Sequence, residues 1–212
     1  STKLARELTE LRDFETGAHL DRMARYSRLI ARAIAPQRGL NDEFVEGVYL
    51  FAPMHDIGKI GIPDSILLKP GRLDPEERVI MDSHVAKGVE IIERIIGKEG
   101  ERHFPESDLL RNIVQHHHEM LDGSGYPQGI KGDAIPVEAR IVAVADIFDA
   151  LTALRPYKKE WSLDEAFAEL QRLAELGKLD AACVNALVTQ RDAVTDIHTR
   201  YTDKQPDKAV RG

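Results

Sequence analysis

The chain has 212 residues, 42% of them hydrophobic, and a formal net charge of −7. This length suits one globular domain with a buried core, and the acidic balance argues against a binding face for DNA or RNA polymers. The only cysteine, Cys183, excludes an internal disulfide and a thiolate zinc site, so any metal should have nitrogen and oxygen ligands. Because neither a signal peptide nor an apolar run of membrane-spanning length occurs, we expect a cytoplasmic protein.

Helical patterns begin at the N-terminus. Leu4, Leu8 and Leu11 lie on one face of a predicted helix, which we interpret either as core contact or as a linker helix through which two chains could dimerise. Residues 16–35 continue with helical spacing, and Pro36 is expected to end that helix.

Capping signals indicate the later helices. Asp74, Pro75 and Glu77 predict a helix that runs to about Ile96 and is closed by Gly97. Signals of the same kind predict three more helices, at 107–118, 136–154 and 163–176. No useful stretch alternates with period 2, so the predicted fold class is all-α.

Ionisable side chains occur inside these apolar segments. His55 and Asp56 lie in "MHDIGKIGIPD", with Lys59 one turn after His55. Burial of such groups is costly unless they are paired or bind metal, and a plain buried ion pair is one reading. Asp146 lies in the apolar "RIVAVADIFDAL", where Asp149 is interpreted as a residue that caps or pairs.

Histidines add to this set. His117 and His118 precede the glycine-rich turn "DGSGYP", His84 lies within a predicted helix, and Glu15 and His19 share a helix face. Each is weak evidence alone, but imidazoles and carboxylates on separate helices of a bundle can build a multinuclear site. A set without cysteine suits iron or manganese, and two such ions can activate water and neutralise phosphate oxygens.

Taken in order, "HDIGKIGIPD", "ILLKPGRL", "DGSGYP" and "DALTALRPYK" resemble the HD-GYP family, the bacterial phosphodiesterases of the HD superfamily that degrade cyclic di-GMP. The resemblance extends from about Arg12 to at least Leu187. It implies an HD-superfamily helical bundle with a multinuclear metal site in its core. We therefore divide the chain into a linker helix at 1–12, an HD-GYP domain at 13–198 and a flexible tail at 199–212, and we expect an upstream regulatory domain.

The resemblance also assigns roles to residues. The residues that match the family's metal ligands are Glu15, His19, His55, Asp56, His84, His117, His118 and Asp146. Lys59 matches the lysine at the scissile phosphate, and Lys59 and Asp56 are the predicted catalytic residues. The residues expected to contact substrate are Lys59, Gly125, Tyr126, Pro127, Arg155 and Lys158.

Three positions qualify this assignment. Family members with a glutamate at the position of Glu15 can hold a third metal, so two or three divalent ions, iron or manganese, are expected. Met120 stands where the family usually has a basic residue, which leaves the local substrate contacts open. His116 is additional to the usual pair and is interpreted as a helix-surface residue.

The function implied is hydrolysis of cyclic di-GMP to pGpG, GMP or both, as the output domain of bacterial second-messenger signalling. The alternatives are hydrolysis of another cyclic dinucleotide, such as cyclic GMP-AMP, and a catalytically weak module that binds the dinucleotide. HD scaffolds also host diiron oxygenases, but "DGSGYP" and "RPYK" argue against that class.

Overall fold

A computed structural model describes residues 16–98, 105–154 and 159–203, and these residues form helices and connecting turns without any strand. The predicted all-α class is therefore confirmed. The α-helices within these ranges are α1 Gly17–Arg38, α2 Asp42–Phe51, α3 Asp64–Leu67, α4 Pro75–Asp82, α5 His84–Lys98, α6 Pro105–His116, α7 Val137–Thr152, α8 Leu163–Glu175, α9 Ala181–Val188 and α10 Arg191–Arg200.

Helix α1 is central to the bundle and packs against α2, α7, α9 and α10. Its apolar face places Met23, Tyr26 and Ile30 in the main core without exposed surface. The Tyr26 ring meets Phe148 of α7 edge to face, with 5.2 Å between the ring centroids. Full burial of one large apolar side chain contributes about 1.5–3 kcal/mol, so this face holds α1 in place and thereby positions His19 near its start.

The expectation that Pro36 ends α1 is wrong, because the helix continues to Arg38. Proline removes only one intrahelical hydrogen bond, to the carbonyl of Arg32, and both residues are exposed to water. The helix ends instead at Gly39, which has a φ of 63° and donates its N–H to the carbonyl of Ala35. A left-handed glycine is a common helix terminator.

The predicted single helix at 74–96 is two helices. Its start is confirmed, since Asp74 and Glu77 form a reciprocal capping box. The chain turns at Ser83, however, and α5 begins at His84 and passes through Gly97 to Lys98. His84 therefore lies at the start of a helix rather than in the middle of one, which allows its ring to face the bundle core.

The remaining boundaries agree more closely with the sequence. Helix α7 follows the N-cap residue Pro136, and α8 starts with a capping box formed by Ser162 and Glu165. Helix α6 ends at His116, two residues before the predicted end, so that His117 and His118 lie in the turn that follows.

The ends of the chain are only partly described. The predicted linker helix with its leucines lies outside the described residues. The tail was expected to begin at 199, but α10 continues to Arg200, and Asp203 pairs with Arg22. Among the described residues, no helix is both long and apolar enough to cross a membrane.

Candidate metal centre

Two groups of ligand-type side chains lie next to each other in the bundle. One consists of Asp56, His84, His117 and His118, and the other of His19, His55 and Asp146. Within each group, the atoms that could bind an ion lie within 4.8 Å of one another. We call these groups the Asp56 cluster and the His19 cluster. Seven of the eight predicted ligands are brought together, and the eighth, Glu15, lies outside the described residues.

The clusters draw on chain segments that are far apart in sequence. His55 and Asp56 occupy the bend between two short 3-10 helices, Ala52–Met54 and Ile57–Gly61. The other ligands come from the start of α1, the start of α5, the turn after α6 and the middle of α7. Such convergence depends on tertiary packing, because no local segment could assemble either cluster alone.

Asp56 joins the two clusters. One carboxylate oxygen, Oδ1, lies 3.2 Å from Nε2 of His84 and 3.3 Å from Nε2 of His117. The other, Oδ2, lies 3.2 Å from Nε2 of His55, which in turn lies 3.3 Å from Oδ1 of Asp146. The carboxylate is thus placed so that each oxygen could serve a different ion.

The rings of three histidines are oriented by backbone carbonyls. The Nδ1 atoms of His55, His84 and His117 lie 2.7, 2.8 and 2.9 Å from the carbonyl oxygens of Ala52, Met81 and Ile113. This contact fixes Nδ1 as a donor and turns Nε2 towards the clusters.

The residues present fit a metal ion. Nε2 of His55 and Nε2 of His84 are buried and have no hydrogen-bond partner within the described part of the chain, although each lies 3.2 Å from an oxygen of Asp56. Buried polar atoms are rarely left in this state. A divalent cation between imidazole and carboxylate ligands would satisfy them, and the ligand set without thiolates suits a borderline or hard ion.

The electrostatics of the site agree with this fit. Burial raises the pKa of Asp56, but His55, Lys59 and His117 outweigh it, so the pKa lies well below the usual value and the group is a carboxylate. Burial, with a further contribution from His117, lowers the pKa of His118 to about 2. For His55 and His84 burial lowers the pKa, but Asp56, together with Asp146 at His55, outweighs it and raises the pKa of both imidazoles. These two rings would therefore release protons when an ion binds between them and the carboxylates.

Lys59 lies at the rim of the clusters. Its ammonium is 3.1 Å from Oδ2 of Asp56, and its side chain is 19% exposed. Lys59 is therefore placed where a ligand that enters from solvent would meet a positive charge beside the ion-binding groups.

The glycine-rich turn packs directly against the Asp56 cluster. The Tyr126 ring stacks on His118, with 4.7 Å between centroids and 14° between planes, and the Tyr126 N–H donates to the carbonyl of His118. A Cβ on Gly125 would collide with backbone atoms of His118, Glu119 and Met120. Glycine is therefore required there by close backbone approach. The Tyr126–Pro127 peptide bond is cis.

The residue that braces this turn was not singled out from the sequence. Glu119 is 3% exposed, and its two carboxylate oxygens accept hydrogen bonds from the backbone N–H groups of Gln128, at 2.6 Å, and Ile130, at 3.2 Å. The only available signal was an acidic residue directly after the two ligand histidines.

We expect Glu119→Ala to lower the free energy of unfolding by roughly 2–3 kcal/mol, because the backbone N–H groups of Gln128 and Ile130 lose their buried acceptor. Denaturant unfolding of the metal-free protein measures this. The control is Glu175→Ala at the exposed end of α8, where the change should stay within about 0.5 kcal/mol. Equal values for the two variants would contradict the bracing role.

Other expectations have mixed outcomes. Arg155 and Lys158 lie outside the described residues. Asp149 pairs with His19 and Arg22, which is one of the two roles predicted for it. His116 is half-buried rather than on the surface, and it belongs to neither cluster. Met120 packs against the main core, so its apolar side chain has a structural use.

Comparison with known proteins identifies the family to which the chain belongs. A family model described as HD domain matches residues 14–183, and the chain belongs to the HD domain family. The chain is 45% identical over 202 residues to the cyclic di-GMP phosphodiesterase response regulator RpfG of Xanthomonas campestris pv. campestris, which covers 95% of this chain and 50% of that protein. The resemblance to the HD-GYP phosphodiesterases is thereby confirmed.

A second relative acts on a different dinucleotide. The chain is 43% identical over 169 residues to the 3'3'-cGAMP-specific phosphodiesterase 2 of Vibrio cholerae, which covers 80% of this chain and 30% of that protein. The chain thus spans half the length, or less, of these two relatives.

A solved structure shows the same fold. The HD domain of the L. monocytogenes phosphodiesterase PgpH, in complex with cyclic-di-AMP, aligns with a TM-score of 0.56 at 16% identity and covers 96% of this chain and 99% of that chain. The predicted HD-superfamily helical bundle is therefore confirmed.

Proposed function

We propose that the protein is a metal-dependent phosphodiesterase that hydrolyses cyclic di-GMP to pGpG, GMP or both. The observation that supports this most directly is the pair of clusters joined by Asp56, with Lys59 at their rim. The substrate proposal rests on similarity to named cyclic di-GMP phosphodiesterases, and we extend it from them to this chain.

The Asp56 cluster and the His19 cluster would each hold one ion, of iron or manganese, and Glu15 would allow a third. When bound, such ions supply Lewis acidity towards phosphate oxygens and activate water for attack on phosphorus. Asp56, whose two oxygens face different clusters, would help to hold both ions, and the carbonyl-anchored rings of His55, His84 and His117 would keep their Nε2 atoms in place.

The other residues would act on the substrate. The Lys59 ammonium would neutralise charge that builds up on the phosphoryl oxygens during displacement. Arg155 and Lys158 would hold the second phosphate of the dinucleotide, and Gly125, Tyr126 and Pro127 would form one edge of the pocket. Local positive charge of this kind allows a protein of net negative charge to bind an anionic substrate.

Cyclic GMP-AMP is the second candidate substrate, because a relative of similar identity is specific for it. The two dinucleotides have the same phosphates and differ in one base, so the clusters do not discriminate between them. A binding module without catalysis is less well supported, because seven of the eight ligand positions are assembled. By analogy with a relative named as a response regulator, we infer an output domain of a longer signalling protein. The spacing of Leu4, Leu8 and Leu11 is the basis for a homodimer contact through the N-terminal helix.

The test is chromatography of the products after incubation of the protein, loaded anaerobically with Fe(II) or Mn(II), with cyclic di-GMP and separately with cyclic GMP-AMP. Formation of pGpG or GMP that a chelator prevents is the expected result. Faster cleavage of cyclic GMP-AMP would assign the second candidate, and intact substrates in every reaction would contradict the enzymatic proposal.

Lys59→Met is expected to lower kcat by about 10²–10³-fold while metal content stays unchanged, because methionine keeps the unbranched stem of the side chain but removes the charged ammonium. Metal analysis and initial rates measure the two quantities. The control is Lys69→Met, which removes the exposed ion pair with Glu77. Loss of metal from the Lys59 variant would show that Lys59 supports the ions rather than the substrate.

A further inference from the structure

His19 is oriented differently from the other ligand histidines. Its Nδ1 lies 2.6 Å from Oδ2 of Asp149, and the two side chains are 4% and 0% exposed. A carboxylate at Nδ1 fixes the tautomer, leaves Nε2 for the His19 cluster and makes it a stronger donor to a metal ion. The strength with which His19 can bind an ion therefore depends on how firmly Asp149 is held in place.

Asp149 is held by Arg22, which lies one turn after His19 on α1. The Arg22 guanidinium donates from Nε to Oδ1 of Asp149 at 2.5 Å and from Nη2 to Oδ2 at 3.2 Å. Arg22 is 2% exposed, so a charged group is fully enclosed. A buried guanidinium needs acceptors for its remaining donors.

Those acceptors come from the far end of the described chain. Nη1 of Arg22 donates to the carbonyl of Tyr201 at 2.6 Å, and Nη2 lies 3.0 Å from Oδ2 of Asp203. The other oxygen of Asp203 accepts from the hydroxyl of Thr16, which also caps the start of α1. We call residues 201–203 the C-terminal clasp.

We propose that the C-terminal clasp positions His19 for metal binding through Arg22 and Asp149, so that the last described residues help to set the metal affinity of the His19 cluster. This rests on the metal site of the proposed function. Opposite charges alternate from Asp203 through Arg22 to Asp149. Removal of the Asp203 carboxylate leaves Arg22 with one carboxylate partner instead of two. The contact between Arg22 and Asp149, which orients His19, is then held less firmly.

The experiment compares Asp203→Ala with Asp196→Ala, which removes an exposed ion pair with Arg200 on α10. Mn(II) is titrated into the metal-free protein without substrate, and the EPR signal of free Mn(II) gives the affinities of the two clusters. Asp149→Asn shows which of the two measured affinities belongs to the His19 cluster. This variant is expected to weaken Mn(II) binding at that cluster by about 10–100-fold. Asp203→Ala should weaken the same affinity by about 2–30-fold and leave the other unchanged.

The double variant distinguishes positioning from general support. If Asp203 acts through Asp149, Asp203→Ala has little further effect once Asp149 is asparagine, so the two losses do not add. Full additivity, equal weakening of both clusters or an unchanged affinity in Asp203→Ala overturns the proposal. Should that variant fail to fold, Asp203→Glu, which keeps the charge but moves the carboxylate, gives the same comparison. Wild-type protein that binds neither two Mn(II) nor two Fe(II) ions overturns the proposed function as well.

Discussion

Asp56→Asn is expected to remove metal from both clusters and to lower turnover by more than about 100-fold. Loss of a residue that only hydrogen-bonds to a metal ligand lowers activity by at most about 100-fold, and loss of a ligand itself should cost more. The amide has one oxygen and no charge, so it cannot balance two cations, and its NH2 group would face Nε2 of a histidine. Metal analysis after dialysis and the rate of product formation measure the two effects.

The matched control for Asp56→Asn is Asp192→Asn, at an exposed position on α10, which should keep its metal and its rate. Retention of one ion per chain in the Asp56 variant would mean that Asp56 serves one cluster only. Unchanged turnover would remove Asp56 from the catalytic residues altogether.

Gly58→Ala is expected to lower the free energy of unfolding by about 3 kcal/mol or more, at the upper end of the range for overpacking. A Cβ at this position would fall on the carbonyl oxygen of His84 and 2.5 Å from the backbone nitrogen of Gly88. Both are backbone atoms, so relief requires α5 to move away, and His84 would move with it. Denaturant unfolding measures the stability, and Mn(II) titration measures the displacement of the ligand.

Gly97→Ala is the control for Gly58→Ala, since Gly97 lies in the same helix α5 and, among the described residues, a Cβ there meets no atom within 4 Å outside its own stretch of helix. That change should stabilise the protein by roughly 0.5–1 kcal/mol, because alanine favours the helix. Similar unfolding curves for the two variants would show that the contact between Gly58 and α5 is not tight.

Features with local causes could be predicted from the sequence. The capping box of Ser162 and Glu165 joins residues three apart, and it placed the start of α8 correctly. The turn at Ser83 has no such signal, since "MDSHVAKG" has helical spacing throughout. There the packing of α5 against Gly58 decides the structure, and tertiary contacts override local preference.

The candidate site also combines features that could be predicted from local sequence with features that depend on tertiary contacts. Eight candidate ligands could be proposed from the resemblance of ordered motifs, and the structure brings seven of these side chains together. Arg22 and Glu119 were missed because their partners are distant in sequence or lie on the backbone of a later turn. Arg22 meets Asp149 across 127 positions and Asp203 across 181, separations that no spacing rule detects in a single chain.

The different anchors of the histidines have a consequence during synthesis of the chain. The rings of His55, His84 and His117 are oriented by carbonyls three or four positions earlier, so each anchor leaves the ribosome before its histidine. The Asp56 cluster has all of its residues and ring anchors once His118 has emerged. His19 is synthesised first, but Asp149, which orients its ring, follows 130 positions later. The nascent chain therefore contains every residue of the Asp56 cluster before the partner that orients His19 has been made.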